Sequence, residues 1–284
     1  MNSIRHRVNY YCKLDQKFTL KKISLCNNGH HKTHIIANKS AWFSDMNTTY
    51  RYDFLKVLLL FPRSFLTAST MGDVTFVPEV PSVVKSRPIR CENSNSVLLK
   101  LDSARHFKFI NDTKAFESKK NRLVWRGVAR QKHRKDFLER HFSNPLCDVA
   151  QVNSPGDLAY GERMSIEEQL NYKFILCIEG NDVATNLKWA MSSNSLCFMP
   201  KPKYETWFME GQLKPGVHYV ELADDYSDVD EKINYYSSHA DEALHIINKA
   251  HQHVALFQDE RREDLISMLV MEKYFHLSGQ LPDG

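Results

Sequence analysis

The chain has 284 residues, 42% of them apolar and 25% charged, with a net charge of +4 at pH 7. That length and composition describe a globular chain able to bury one large core or two smaller ones, and they exclude a low-complexity or fibrous protein. A charge so close to balance exerts little pull on any partner. The basic clusters lack the interleaved aromatics and glycines of an RNA-binding motif, so nucleic acid is not an expected partner.

Residues 1–45 are irregular and aromatic-rich, and read as weak strands and loops. The opening MNSIRHRVNYY has no apolar core of a signal peptide. The run FLKVLLLFP, Phe54 to Pro62, is too short to cross a bilayer. A cytoplasmic location is expected, with the inner face of a membrane as the peripheral alternative. Thr48 to Leu60 has helical apolar spacing behind a threonine cap. Gly72 to Ile89 is punctuated by prolines and reads as extended loop. Ser96–Asp102 and Arg122–Gly127 read as strands, with the helix-like SARHFKFINDTKAFESK between them. A basic helix, RQKHRKDFLERHF, runs up to Ser143-Asn144-Pro145, the expected lobe boundary.

The second half repeats the rhythm. KFILCIE is a strand, DVATNLKWAMSS a helix, SLCFM a strand, YETWFME a short helix and VHYVEL a strand. Val183, Leu187, Ala190 and Met191 recur at helical spacing, as one face packed on a sheet would require. From Ser227 to Leu277 the chain reads as helical, ending in RREDLISMLVMEKYF. Strands alternating with helices imply parallel sheets with right-handed crossovers, and two such series imply a two-lobed α/β protein.

The six cysteines, Cys12, Cys26, Cys91, Cys147, Cys177 and Cys197, form no CxxC pair and read as reduced and structural. His30-His31 and His251/His253 have no Cys or carboxylate at ligand spacing, so they read as surface histidines and no metal site is expected.

Three stretches have the residue types for chemistry. In KFILCIEGNDVATNLK a glycine, Gly180, follows a buried strand, and Asn181-Asp182 form a cap at the start of a helix. Free N–H groups and the positive end of a helix there would hold an anion, beside Thr185, Asn186 and Lys188, although many β–α junctions share this pattern. In WRGVARQKHRKD, Arg126 and Gly127 end a strand, while Arg130 and Arg134 lie one turn apart. Guanidinium groups suit phosphate, and the plain alternative is a solvated basic face, which fits Lys132, His133 and Lys135 better. In GDVTFVPEVP, Asp73 sits in a loop stiffened by Pro78 and Pro81, placed either as a general base or as ordinary turn chemistry. Lys85 and Arg87 of KSRP, and Glu179, are accessory candidates.

Taken in order, GDVTFVP, KSRPI, LLKLDSARHF, LVWRGVARQKHR, YKFILCIEGNDVATNLKWAMSSNS and LKPGVHYVEL resemble glycosyltransferase family 90 from about Gly72 to Phe275. That family holds bacterial lipopolysaccharide-modifying glycosyltransferases, fungal capsule-associated proteins and animal protein O-glucosyltransferases. The sequence looks most similar to the bacterial branch.

The resemblance implies a GT-B fold of two Rossmann-like lobes facing a cleft, with the C-terminal helix returning to the first. Residues 1–143 would form the acceptor-side lobe, 144–258 the nucleotide-sugar lobe and 259–284 the returning helix. It implies an inverting transferase that uses no metal or cofactor and moves glucose or xylose from a UDP-sugar to a hydroxyl of a saccharide such as lipopolysaccharide. Asp73 would be the base. Arg126, Gly127, Arg130, Arg134, the turn from Gly180 through Lys188, and His218-Tyr219 would hold the donor. Animal members carry Ser-x-Arg where this chain has Ala184-Thr185-Asn186, so Lys188, Arg126 or Arg130 is left to supply the missing charge. The rival readings are a non-catalytic nucleotide- or glycan-binding module and a GT-B enzyme with another nucleotide-sugar.

Overall fold

The computed structural model describes residues 3–20, 27–28, 31–38, 48–90, 92–157 and 159–282. The strands in chain order are β1 (Asn27–Asn28), β2 (His31–Ala37), β3 (Leu66–Thr70), β4 (Ser82–Val84), β5 (Ser86–Pro88), β6 (Ser96–Leu98), β7 (Lys120–Gly127), β8 (Cys147–Gln151), β9 (Tyr172–Leu176), β10 (Leu196–Pro200), β11 (Tyr204–Thr206) and β12 (Val220–Leu222). The α-helices are α1 (Ile4–Tyr11), α2 (Thr48–Leu58), α3 (Ser103–His106), α4 (Lys132–His141), α5 (Ile166–Gln169), α6 (Leu187–Met191), α7 (Val229–Ser238), α8 (Ala240–Val254) and α9 (Glu260–Leu277). The chain divides into two compact units. Unit 1 is Met1–His106, Lys203–Gly211 and Leu256–Gly284; unit 2 is Phe107–Pro202 and Gln212–Ala255.

Unit 1 holds a mixed sheet in the order β1-β2-β3-β4-β6. Its β1–β2 and β2–β3 pairs are antiparallel, and its β3–β4 and β4–β6 pairs are parallel. The residues of β4 and β6 are all buried, as strands covered on both faces should be. Where the sequence reads as strand or loop, Ile4–Tyr11 is a helix, capped by Ser3, whose Oγ accepts from His6 N at 3.2 Å. The apolar pattern hides this helix because its buried face carries Arg7 and Tyr11. Arg7 donates to both carboxylate oxygens of Glu263 on α9 and to the Tyr11 hydroxyl, while Trp207 Nε1 donates to Glu263 at 2.6 Å. Tyr11 stacks on Trp207 with ring centroids 3.7 Å apart. One ion pair therefore binds three distant stretches of chain together. The segment YETWFME, read as a helix, is instead strand β11 followed by a 3₁₀ turn at Glu210–Gln212, because Tyr204–Thr206 pair antiparallel with β5.

Unit 2 holds a sheet in the order β12-β10-β9-β7-β8 with every pairing parallel. Its core gathers Leu123, Trp125, Phe137, Phe174, Phe198 and Val220 among others. Starting the count at β7, the strand order is 2-1-3-4-5, a doubly wound sheet whose direction of progress reverses between β7 and β9. This places β7 in the second sheet and α4 in the same unit. The chain divides at His106–Phe107, so the expected boundary at residue 143 falls inside unit 2.

Two expected helices are shorter than their patterns. In SARHFKFINDTKAFESK only α3 and a 3₁₀ turn at Phe116–Ser118 are helical. Between them the Asp112 carboxylate accepts from Lys119 Nζ at 2.6 Å and Asn194 N at 2.9 Å, and these bonds compete with a helix. DVATNLKWAMSS is helical only over Leu187–Met191, because other groups hold the chain before it. Cys12, Cys147, Cys177 and Cys197 are buried free thiols, as expected of structural cysteines. His253, expected at the surface, is buried, with its ring 5.6 Å from that of His218. Cys26, Cys91 and His30 lie outside the described residues.

Candidate active site

The first cluster lies in unit 1. Gly72 has φ +101°, a conformation other residues rarely adopt, and delivers Asp73 on a tight turn in which Val74 N donates to Gly72 O at 3.1 Å. Val74 is fully buried, and its carbonyl accepts from Ser86 Oγ at 3.1 Å, so the loop is fixed beside β5. Lys85 Nζ lies 2.5 Å from Asp73 Oδ1, and Arg105 Nη2 lies 3.7 Å from the same oxygen. Lys85 is 1% exposed and Asp73 28%, so a buried cation faces a carboxylate that keeps access to solvent. Arg87 is placed differently. It is fully buried, donating to Glu205 Oε1 at 2.8 Å and to the carbonyls of Tyr10, Tyr11 and Ser96, which makes it part of the unit 1 framework.

Arg105 is a residue that the sequence pattern does not single out. Its Nε lies 2.9 Å from Asp102 Oδ2 and donates to His106 Nε2 at 3.3 Å, and its Nη2 donates to His106 Nε2 at 2.8 Å. Asp102 is buried with φ +55°. The start of α3 is held by Asp53, whose carboxylate accepts from Ser103 N at 2.7 Å and Ser103 Oγ at 2.9 Å. Burial pushes the Asp53 carboxyl up, against the Ser103 bonds that pull it down.

The second cluster lies at the carboxyl ends of β7 and β9 in unit 2, where open parallel sheets bind ligands. Arg134, on α4, donates through Nε to Glu179 O at 2.9 Å, through Nη1 to Val128 O at 2.7 Å and through Nη2 to Ile178 O at 2.8 Å. His133 Nε2 meets Glu179 O at 2.8 Å, and Gln131 Nε2 donates to Asn181 Oδ1 at 2.7 Å. Residues of α4 and its lead-in thus tie the loop after β7 to the loop after β9. Asn186 Nδ2 donates to Leu176 O at 2.9 Å. These bonds hold residues 178–186 out of helical geometry, so no helix starts at Asp182. The residue preceding α6 is Asn186, which makes no side-chain cap. The expected anion site on a helix N-terminus is therefore absent at this point. What remains is a loop carrying exposed Asn181 and Thr185, half-buried Glu179 and Gly180, and buried Asp182.

Arg126 ends β7 as expected, but most of its guanidinium is engaged. Its Nε donates to Glu162 O, its Nη1 to Trp125 O and Asp148 O, and its Nη2 to Asp148 Oδ1 at 2.6 Å. Burial pushes the Asp148 carboxyl up, but the bonds from Tyr172 and Arg126 outweigh it and leave the group below the usual carboxylate range. Of five guanidinium N–H bonds, these contacts use four on Arg126 and three on Arg134. Lys188, expected beside the anion, is fully buried, with its Nζ 5.8 Å from the centre of the Phe107 ring. His218 and Tyr219 directly precede β12, whose first residue, Val220, pairs with Phe198 in the middle of β10. Tyr219 OH donates to Glu221 Oε2 at 2.9 Å. Arg130 is exposed and borders a cavity of about 560 Å³ beyond β8, lined also by Gln151, Asn153, Ser154, Asp157 and Phe142.

Among the described residues no group of three or more His, Cys, Asp or Glu side chains could hold a metal ion. Asp228-Val229-Asp230 spells a DxD triplet, but Asp228 Oδ1 accepts from Ala223 N at 3.0 Å and Asp230 Oδ1 accepts from Asn144 Nδ2 at 2.5 Å. No described helix is long and apolar enough to cross a membrane.

A doubly wound parallel sheet with cation-bearing loops at its reversal point, and a separate unit presenting a solvent-accessible carboxylate, fit a group-transfer enzyme. The sequence model of Glycosyl transferase family 90 matches residues 101–277. The chain is 45% identical over 279 residues to O-glucosyltransferase LpsA of Dichelobacter nodosus, which covers 97% of this chain and 83% of that protein. It is 28% identical over 139 residues to Protein O-glucosyltransferase 2 of Danio rerio, covering 46% of this chain and 28% of that one. The chain belongs to glycosyltransferase family 90 and is a glycosyltransferase.

Proposed function

We propose that this chain is an inverting, metal-independent GT-B glycosyltransferase that moves a hexose or pentose, glucose before xylose, from a UDP-sugar to a hydroxyl of a lipopolysaccharide saccharide. Unit 1 supplies the base and unit 2 the donor loops. The observation that carries the reading is the convergence of two sequence motifs, LVWRGVARQKHR and KFILCIEGNDVATN, on the single reversal point of the parallel sheet. The relative named an O-glucosyltransferase over nearly the whole chain supports glucose and an oxygen acceptor. We place the enzyme in the cytoplasm, with the inner face of the membrane as its peripheral site.

In this reading Asp73 takes the proton from the acceptor hydroxyl as its oxygen attacks the anomeric carbon from the face opposite UDP. The bond to the diphosphate breaks in the same displacement, which inverts the configuration. Charge growing on the leaving phosphate is met chiefly by Arg134, which keeps two N–H bonds beyond those given to backbone carbonyls. The N–H groups of the Gly180–Thr185 loop and exposed Arg130 stand at the same edge of the sheet. Lys188, fully buried, acts through the core rather than on phosphate.

The test is Asp73→Asn assayed with a panel of UDP-, GDP- and CMP-sugars. We expect release of sugar from UDP-glucose by the natural chain, and a fall in kcat of about 100- to 10,000-fold in the variant, with thermal stabilisation by UDP intact. Undiminished turnover by the variant would remove Asp73 from the base's role. Stabilisation by GDP or CMP but not UDP would change the donor.

A further inference from the structure

The cluster around Asp73 contains one cation whose setting the reaction scheme above does not use. Arg105 is half-exposed, with 54% of its side chain open, yet its orientation is fixed from behind. Asp102 Oδ2 holds its Nε at 2.9 Å and His106 Nε2 accepts from its Nη2 at 2.8 Å. Both anchoring residues are buried, Asp102 at 3% and His106 at 1% exposure. Asp102 also has φ +55°, a conformation that costs free energy in any residue with a Cβ and persists only where the surroundings impose it. The Asp53 carboxylate imposes it from one side, binding Ser103 N and Ser103 Oγ at 2.7 and 2.9 Å. The outcome is a guanidinium with one edge locked by protein and the Nη1 end outside these bonds, 3.7 Å from the Asp73 carboxylate through Nη2.

A surface arginine that only solvates itself needs none of this. A buried carboxylate in strained backbone, spent on aiming one exposed guanidinium, is what a binding group requires: its rotamer entropy is lost before the ligand arrives. Lys85 cannot do the same work. It is 1% exposed and approaches the same Asp73 oxygen at 2.5 Å from the buried side.

We propose that Arg105 is the acceptor-orienting residue, binding hydroxyl oxygens of the acceptor saccharide next to the one that Asp73 deprotonates, and that Asp102 is the positioning residue that aims it. This inference rests on Asp73 as the base. Every group that fixes Arg105 belongs to unit 1, as Asp73 does.

The experiment uses the full chain with UDP-glucose as donor and a lipid-free lipopolysaccharide core oligosaccharide as acceptor, in the variants Arg105→Ala, Arg105→Lys, Asp102→Asn and Asp73→Asn. Arg105→Ala is expected to raise the acceptor KM about 10- to 100-fold, the worth of one or two charge-assisted hydrogen bonds, with the donor KM and the UDP-induced thermal shift unchanged. Arg105→Lys should not restore it, since a single ammonium cannot keep both anchors and reach the ligand. Asparagine tolerates positive φ, so Asp102→Asn should fold and still raise the acceptor KM without touching substrate. An unchanged acceptor KM in Arg105→Ala beside an inactive Asp73→Asn overturns the Arg105 assignment alone. Equal losses in donor and acceptor KM with a lowered melting temperature also overturn it, in favour of a structural role. An Asp73→Asn variant that turns over normally overturns the base, and with it the reason for seating the acceptor beside Arg105.

Discussion

Arg134 and Gly127 show how much a single position carries. The Arg134 guanidinium joins three carbonyls from two loops and lies with its Cζ 5.5 Å from the centre of the Trp125 ring, so burial lowers its pKa from the usual arginine value without costing it its partners. Arg134→Lys keeps a charge but can satisfy only part of that set, and it is expected to cost about 1–3 kcal/mol from carbonyls left unpaired. Urea denaturation would read that loss, and UDP binding should weaken alongside it as the two loops part. A Cβ on Gly127 would stand 2.4 Å from Trp125 Cζ2, too close for any real contact. Gly127→Ala therefore forces the indole to move, with an expected loss of about 1–3 kcal/mol by overpacking. An alanine variant as stable as the natural chain would mean that Trp125 can shift freely. The sequence picks out both residues, since an arginine-glycine strand end and a basic helix are visible in it. What it cannot tell is that Arg134 spends most of its donors on backbone and Arg126 nearly all of them.

At the scale of elements, α1, β11 and α9 are joined by Arg7, Tyr11, Trp207 and Glu263. Arg7 is 2% exposed and Glu263 fully buried, so removing either partner strands a charge away from water. Glu263→Leu or Arg7→Met alone should each cost about 3–5 kcal/mol, and the pair of changes together less than the sum. A double-mutant cycle on the unfolding midpoint checks this, and additive losses would show that the two residues act independently. The apolar pattern reads α9 and α2 correctly and misses α1 for the same physical reason that makes α1 important: its inward face is an arginine and a tyrosine. The loop from Cys177 to Asn186 is the opposite case. From Asp182 on its apolar spacing is helical, but Arg134 and His133 bind the Ile178 and Glu179 carbonyls just before it, and Asn186 donates back to Leu176 O.

At the scale of the whole chain, burial holds the His141 imidazole and the His218 imidazole below the ordinary histidine value, with Lys214 and Lys249 adding to the effect at His218. Both groups are neutral in the folded and unfolded chain at pH values above about 6.5. As pH falls through that value the unfolded chain takes up protons first, so stability is lost between the unfolded value and the lower folded ones. The urea midpoint of unfolding should fall between pH 7.5 and pH 5.5. A midpoint that holds or rises over that interval would contradict this account. His141 Nε2 facing the Tyr226 carbonyl at 2.9 Å, in the core of unit 2, is a tertiary fact with no trace in the sequence pattern.

The sequence alone carried the alternation of strands and helices in the second half and the family, and through the family resemblance it offered Asp73 as a candidate base. Those depend on local periodicity, on turn residues and on the order of short motifs, each of which is legible within a few consecutive residues. Only the tertiary structure assigned β7 to the second sheet and α4 to unit 2, removed the helix start at Asp182, buried Lys188 and set Arg105 beside Asp73. Each of these is decided by hydrogen bonds and ion pairs between residues far apart in the chain, and such partners leave no periodic signal because either one alone reads as an ordinary polar residue.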